Sequence, residues 1–420
     1  VIMESRDFDF VIFGASGFTG KYVVQEVFKH CKTDGITMAV AGRNRDKLTK
    51  VISTAVGENE DEIQVEVIIA DVKDFQSLVL MCSRARVVLN CVGPYRFFGE
   101  PVVKACVEAK TNYVDISGEP QFLENMQLKY DEAAKEAGVI IVGACGFDSI
   151  PSDLGAVFTQ QQFQGTLNSI KAYLSVNAGP SGYGFHFTTY ESAVHGISDV
   201  KSLSKIRKQF GHKPLPTVGP RMKREGFMHY LSFAQSYCIP FLGADASVVK
   251  RSQRYFCEEL DEPPTQYSMY SCIGSMWNIF LMMVFGGIFK FLAMRSWGRS
   301  LLLNHPKFFT LGLFSHEGPT KQQLKESSFN IVMFGEGYPT GSFDSNKKPK
   351  KKITVKVSGP EPGYVATPIA IVQSALCIIQ EKQNLPKRGG VFAPAAAFGK
   401  TSLIPRLHER GIKFDVLNHS

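Results

Sequence analysis

The run Phe8-Asp9-Phe10-Val11-Ile12-Phe13 leads without a break into Gly14-Ala15-Ser16-Gly17-Phe18-Thr19-Gly20. A largely apolar run of this length reads as a strand buried on both faces. Phe18 to His30 then reads as a helix. A strand, a glycine-rich turn and a helix in that order form the opening unit of a dinucleotide-binding fold. The glycines let the main chain turn tightly and approach a pyrophosphate, whose charge sits at the helix N-terminus. The spacing is GxxGxxG rather than GxGxxG, so the position between strand and helix carries the reading more than the pattern does. Gly14, Ala15, Ser16, Gly17, Phe18, Thr19 and Gly20 are therefore the expected phosphate loop.

Five more strands are expected at 36–41, 65–70, 86–92, 112–116 and 139–142, with helical stretches near 74–83, 99–109 and 120–137. Strands alternating with helical crossovers predict an α/β fold with a doubly wound parallel sheet, the Rossmann arrangement. At 420 residues the chain has room for two or three domains. We read a dinucleotide-binding domain over 1–150, a second α/β domain on a mixed sheet over 151–363, and C-terminal helices over 364–420 that return to the first domain. The nine cysteines are odd in number and form no CxxC pair. That usage argues against a disulfide framework or a zinc site and for a reducing compartment, and no secretion signal is expected before the first strand. No metal site is expected.

The strand ends carry the cofactor chemistry. The second strand ends in Ala41-Gly42-Arg43-Asn44, where an NAD enzyme would place a carboxylate on the ribose hydroxyls. Arg43 offers a planar cation suited to a 2′-phosphate, which predicts NADP(H) over NAD(H). Asp71, at the end of the third strand, either approaches the adenine or caps the next helix. Cys91, Val92, Gly93 and Pro94 follow the fourth strand and border the nicotinamide side, and Tyr95 beside them is either a proton donor or a packing residue.

These residues, together with Gly143-Ala144-Cys145-Gly146-Phe147-Asp148-Ser149-Ile150-Pro151 and Gly389-Gly390-Val391-Phe392-Ala393-Pro394 with a helix-like stretch at 401–411, resemble the saccharopine dehydrogenase family over nearly the whole chain. The resemblance implies a Rossmann domain, a second α/β domain and a nicotinamide cofactor, and leaves the substrate open. It maps Gly14, Ser16, Gly17, Phe18 and Thr19 to the phosphate loop, Arg43 to the 2′-phosphate, and Cys91, Val92 and Gly93 to the nicotinamide side. It brings Tyr95, Cys145 and Asp148 toward the substrate cleft, where Tyr95 and Asp148 are candidates to relay a proton and Cys145 is more often a packing residue.

Beyond Gly155 the pattern changes. Ser169–Val176, Tyr183–Thr189, Ser328–Phe334 and Lys352–Val357 read as strands of the second sheet, and Tyr364–Gln383 as a helix. The net charge of +8 is unevenly spread, with eight basic and no acidic residues between 201 and 224 and a lysine-rich run at 346–352. No nucleic-acid module accompanies them, so exposed loops are expected and nucleic acid is not. Pro263 to Phe289 contains no charged residue, and Lys290, Arg295 and Arg299 follow at once. A spanning helix needs about 20 apolar residues. Here Asn278 and Gly286-Gly287 interrupt the run, so the segment 267–294 reads as an interfacial helix or shallow hairpin. Its cations would meet anionic headgroups of a membrane or lipid droplet on the cytoplasmic face, over 267–299. A buried helix or a homodimer face competes. The leading functional reading is an NADP(H)-dependent oxidoreductase with a hydrophobic or lipid-linked substrate. A non-catalytic NADP-binding surface protein and a saccharopine-type amino-acid dehydrogenase are the alternatives.

Overall fold

The computed structural model describes residues 6–56, 65–198, 200–343 and 347–419; Asn346 of the lysine-rich run lies outside them. In chain order the main elements are β1 (Phe8–Phe13), α1 (Phe18–Asp34), β2 (Met38–Gly42), α2 (Arg45–Val56), β3 (Glu66–Ile69), α3 (Phe75–Ser83), β4 (Ala85–Asn90), α4 (Tyr95–Glu108), β5 (Asn112–Asp115), α5 (Pro120–Ala137) and β6 (Ile140–Val142). There follow α6 (Ile150–Gln162), β7 (Gly165–Asn177), β8 (Phe185–His186), α7 (Phe187–Ser198), α8 (Val200–Phe210), β9 (His229–Leu231), β10 (Ser236–Pro240), α9 (Asp245–Glu259), β11 (Gln266–Gly274), α10 (Met276–Ala293), α11 (Ser296–Asn304) and α12 (Pro306–Phe309). The last stretch holds β12 (Phe314–Ser315), α13 (Lys321–Glu326), β13 (Ser328–Pro339), β14 (Lys351–Pro360), α14 (Thr367–Gln380), β15 (Gly390–Phe392), α15 (Pro394–Phe398), α16 (Leu403–Glu409) and β16 (Lys413–His419). The chain divides into two units, Val1–Asp148 with Gly363–Leu407, and Ser149–Pro362 with His408–Ser420.

The first unit is built on a seven-stranded sheet in the order β15-β6-β5-β4-β1-β2-β3. Every pairing in it is parallel. Phe10, Val11, Ile12, Ala39, Val40, Val88 and Leu89 are fully buried, which is why these strands are near-continuously apolar rather than alternating. The strand order reverses between β4 and β1, and a crevice opens at the carboxyl ends of strands at such a point. Helix α14 packs on β4, β5 and α1, and all of its residues from Thr367 to Ile378 are buried. Two features here escaped the sequence reading. Helix α4 starts at Tyr95 rather than near 99, with Pro94 as its N-cap residue. A seventh strand, β15, pairs with β6 although it is only three residues long and follows a glycine pair.

The second unit is built on a mixed sheet in the order β16-β14-β13-β7-β11-β10-β9. Only β7 and β11 run parallel in it. Three expectations are corrected here. Tyr183–Thr189 is not a strand: only Phe185–His186 pair, with Phe314–Ser315, and the chain turns helical at Phe187. Tyr190 and Val194 on that helix bury against Leu292, Ala293 and Leu302, so packing overrides the β propensity of an aromatic, β-branched stretch. The segment 267–294 is no single helix or hairpin. Its first part is β11, held between β7 and β10, and Gly274 at φ +89° turns the chain into α10. The helix runs unbroken through Gly286 and Gly287. The segment 364–420 does not end in helices, because Lys413–His419 adds an antiparallel strand to β14.

Candidate functional site

The turn after β1 shows why its glycines are where they are. Gly14 has φ +83°, and a Cβ on it would lie 2.7 Å from Val92 Cγ2. The loop after β4 thus closes against the loop after β1. A Cβ on Gly20 would lie 2.2 Å from the Gly14 carbonyl oxygen and 3.0 Å from Ala15 Cα, so α1 can approach the strand only with glycine there. Gly14 donates its amide to the Ala41 carbonyl at 2.9 Å and Gly17 donates to the Gly14 carbonyl at 2.9 Å. Gly17 is the N-cap residue of α1 and lends the first turn no side chain. First-turn amides of a helix have no acceptor inside it, and with the macrodipole they favour an anion. Ser16 is exposed and Thr19 half-buried at the same turn. Phe18 packs edge-on against the buried Tyr364 at 4.8 Å, and Lys21 Nζ lies 4.0 Å from the Phe18 ring.

Arg43 follows β2 directly, is exposed, and makes no ion pair or hydrogen bond among the described residues. A guanidinium without a partner beside an uncapped helix terminus fits a second phosphate. Asn44 Oδ1 accepts the Lys47 amide at 2.9 Å and caps α2. Asp71 does not cap α3. Asp71 Oδ1 accepts the Lys73 amide at 3.0 Å, while Asp74 is the residue that caps α3.

Beside the loop lies a buried polar network that sequence reasoning missed. Asn90, at the end of β4, donates through Nδ2 to the Tyr113 hydroxyl at 3.0 Å and accepts the Val92 amide on Oδ1 at 3.0 Å. The Tyr113 hydroxyl donates to Asp115 Oδ2 at 2.8 Å. Asp115 Oδ1 accepts the amides of Ser117 and Ala144, both at 2.9 Å. Ala144 is held at φ +62°, a left-handed position that a non-glycine residue keeps only when its surroundings fix it. Burial pushes the Asp115 carboxyl up to about 6, against the pull of its three donors. Glu119 accepts the Tyr95 amide at 2.8 Å and pairs with Arg96 at 2.6 Å, both side chains being nearly buried. The network ties the ends of β4, β5 and β6 to one another and fixes the loop 91–94, whose Gly93–Pro94 peptide is cis.

The three residues that the resemblance brings toward the substrate cleft sit differently. The Tyr95 hydroxyl is buried and donates to the Asn90 carbonyl at 2.8 Å, and burial holds it well above its ordinary range. The Cys145 thiol is fully buried, faces the Val142 carbonyl at 3.6 Å and is likewise raised by burial. Asp148 is exposed, and Oδ2 lies 2.4 Å from where a Cβ on Gly118 would stand. Although solvent reaches it, the atoms crowded around it raise its carboxyl above the usual carboxylate range by desolvation. Burial also pushes the Cys91 thiol up to about 12, so it stays protonated. The structure therefore brings 14–20 and 91–94 together, places Tyr95 and Cys145 in the bracing network, and leaves the Asp148 carboxyl exposed.

Residues 10–142 match the family model described as the saccharopine dehydrogenase NADP-binding domain. The chain is 46% identical to the saccharopine dehydrogenase-like oxidoreductase of Homo sapiens, over 99% of each chain. It is 36% identical to a protein of Caenorhabditis elegans named lipid droplet localized protein, over 97% of this chain and 98% of that one. Among solved structures, apo saccharopine dehydrogenase (L-Glu forming) of Saccharomyces cerevisiae covers 98% of this chain and all of its own, with a TM-score of 0.55 at 14% identity, a likeness of fold.

Proposed function

This chain belongs to the saccharopine dehydrogenase family, in the saccharopine dehydrogenase-like oxidoreductase branch, and we propose that it moves hydride between NADP(H) and a hydrophobic or lipid-linked substrate at a lipid surface. The uncapped start of α1 and the unpaired Arg43 carry the cofactor reading, since together they form a cradle for two phosphate groups. When bound, NADPH supplies the hydride. The chain's own part is to hold and exclude. The buried Asn90–Tyr113–Asp115 network keeps the 91–94 loop rigid beside the reacting ring. The Asp148 carboxyl is exposed and raised by desolvation above the usual carboxylate range, and we assign it the proton transfer to the substrate. Asp148→Asn is expected to lower kcat about 100-fold while leaving the NADPH Kd unchanged. An unchanged kcat would remove Asp148 from the reaction.

The lipid part of the reading rests on α10. Only 17% of this helix is buried, whereas the equally apolar stretch Pro362–Gln380 is 83% buried in the core. Trp277 is 64% exposed and Trp297 57%, with Phe280, Phe285, Ile288 and Phe291 exposed between them. A continuous apolar face of this size marks a docking surface. From Pro263 to His316 there is no Asp or Glu, and Lys290, Arg295, Arg299 and Lys307 are the charges present. That pattern complements an anionic headgroup layer. Both ends of α10 are tied into one folded unit, β11 at one end and the Tyr190–Val194–Leu302 cluster at the other. A helix held so lies in the interface and does not cross it.

The protein is expected to float with phosphatidylserine-containing vesicles, and the variant Trp277→Asp, Phe280→Asp, Phe285→Asp to stay unbound. These positions are exposed, so the variant folds; equal flotation of both proteins would refute the lipid surface. A panel of lipid and amino-acid substrates assayed by NADPH oxidation tests the substrate class. The second reading, a cofactor-binding protein without turnover, draws on the commitment of Tyr95 and Cys145 to the buried network. It predicts no oxidation across the panel.

A further inference from the structure

Cys238 on β10 and Cys272 on β11 are register partners in antiparallel strands. Their sulfurs lie 3.2 Å apart. Directly opposed residues hold their Cβ atoms about 4.5–5.5 Å apart, and a disulfide needs about 3.5–4.5 Å, so closure takes a small shift. The ladder is irregular between Tyr237 and Cys238, where such a shift is easiest. The two sulfurs have unlike surroundings. Cys238 is fully buried, and its thiol faces the Ser236 carbonyl at 3.7 Å. Cys272 is half-buried, so solutes reach it.

We propose that Cys238 and Cys272 form a two-cysteine redox site that hydroperoxides oxidise to a cross-strand disulfide. The Cys238 sulfur at 3.2 Å and the hydroxyls of Ser175 and Ser236, against the opposing effect of burial, hold the Cys272 thiol down to about 7. The proton of the pair therefore stays on Cys238. A thiolate, not a thiol, is the nucleophile. The Cys272 thiolate attacks one peroxide oxygen. The O–O bond breaks, an S–O bond forms, and the departing alkoxide or hydroxide takes a proton to leave as alcohol or water. Cys238 then loses its proton and attacks the sulfenic sulfur of Cys272. The S–S bond forms, the S–O bond breaks, and the departing hydroxide takes up the proton from Cys238 and leaves as water. Two thiols are oxidised by two electrons and one hydroperoxide is reduced. The crosslink fixes β10 to β11 two residues before Gly274, where the chain turns into the apolar helix α10.

The molecule carries its own comparison. Cys82 and Cys106 lie 3.5 Å apart, yet both are fully buried and no solute reaches them. The full chain, reduced and treated with one equivalent of hydrogen peroxide, is quenched by alkylation and mapped by mass spectrometry. The expected first product is the Cys238–Cys272 linked peptide, with Cys82 and Cys106 still reduced. In Cys238→Ser the second step is blocked, so dimedone should trap a sulfenic acid on Cys272 at least about tenfold faster than on the half-buried Cys31 or Cys257. A circular dichroism spectrum and a melting transition matching those of the unsubstituted chain certify the fold of each variant. A Cys272 oxidised no faster than Cys257 in folded protein overturns the proposal. So does linkage of Cys82 to Cys106 before Cys238 to Cys272.

Discussion

Gly20→Ala is expected to abolish measurable binding of both NADPH and NADH and to lower the melting temperature of the protein. The added methyl would stand 2.2 Å from the Gly14 carbonyl oxygen, which is main chain and cannot rotate away. Either α1 backs off from β1 or the turn deforms. Both responses displace the first-turn amides from the place where phosphate oxygens must sit. A backbone clash of this kind costs on the order of 2–4 kcal/mol of stability, and a misplaced cradle costs at least about 100-fold in affinity. Calorimetric titration with each coenzyme and a thermal scan measure the two effects. Thr54→Ala is the control, since Thr54 is exposed on α2 and lies outside the turn. Undiminished binding in Gly20→Ala would mean that the turn after β1 does not hold the dinucleotide.

Arg43→Ala separates the two coenzymes. Arg43 has no protein partner among the described residues, so its removal leaves no buried charge behind and the fold should be untouched. What is lost is a charge-assisted contact to the 2′-phosphate, which only NADPH carries. Partly exposed contacts of this kind are worth roughly 1.5–3 kcal/mol, or about 10–150-fold in Kd. NADPH affinity should fall by that factor while NADH affinity stays within about twofold. Arg43→Lys should recover part of the loss, because an ammonium keeps the charge but not the planar fork. Equal weakening of both coenzymes would remove Arg43 from the 2′-phosphate site.

The part of this molecule legible in its sequence is the part whose cause is local. The six strands from Phe8 to Val142 declare themselves as apolar runs because both faces of a parallel sheet are covered. The turn after β1 declares itself because close contacts to Val92 and to the Gly14 and Ala15 main chain admit only glycine at 14 and 20. The bracing network was invisible for the opposite reason. Asn90, Tyr113, Asp115 and Ala144 meet only once three strands are side by side, across separations of up to 29 residues. Nothing around Asn90 marks it as different from an exposed asparagine at a strand end. Tyr183–Thr189 misled because its side chains suit a strand, whereas Tyr190 and Val194 just beyond find a cluster that requires a helix. The continuity of α10 through Gly286-Gly287 was likewise unreadable, since nothing lies within 4 Å of a Cβ built at either glycine.

The interleaving of the two units has a consequence for how the protein is made. The first unit lacks α14 and β15 until nearly all of the second has been synthesised, and the second lacks β16 until the final residues. A nascent chain halted near Pro362 exposes the outer flank of β6 and the apolar surface that α14 later covers. Unpaired strand flanks recruit other chains. Neither unit can be excised as a contiguous fragment, and a chain that stops before Gly363 lacks α14 and β15 of the first unit.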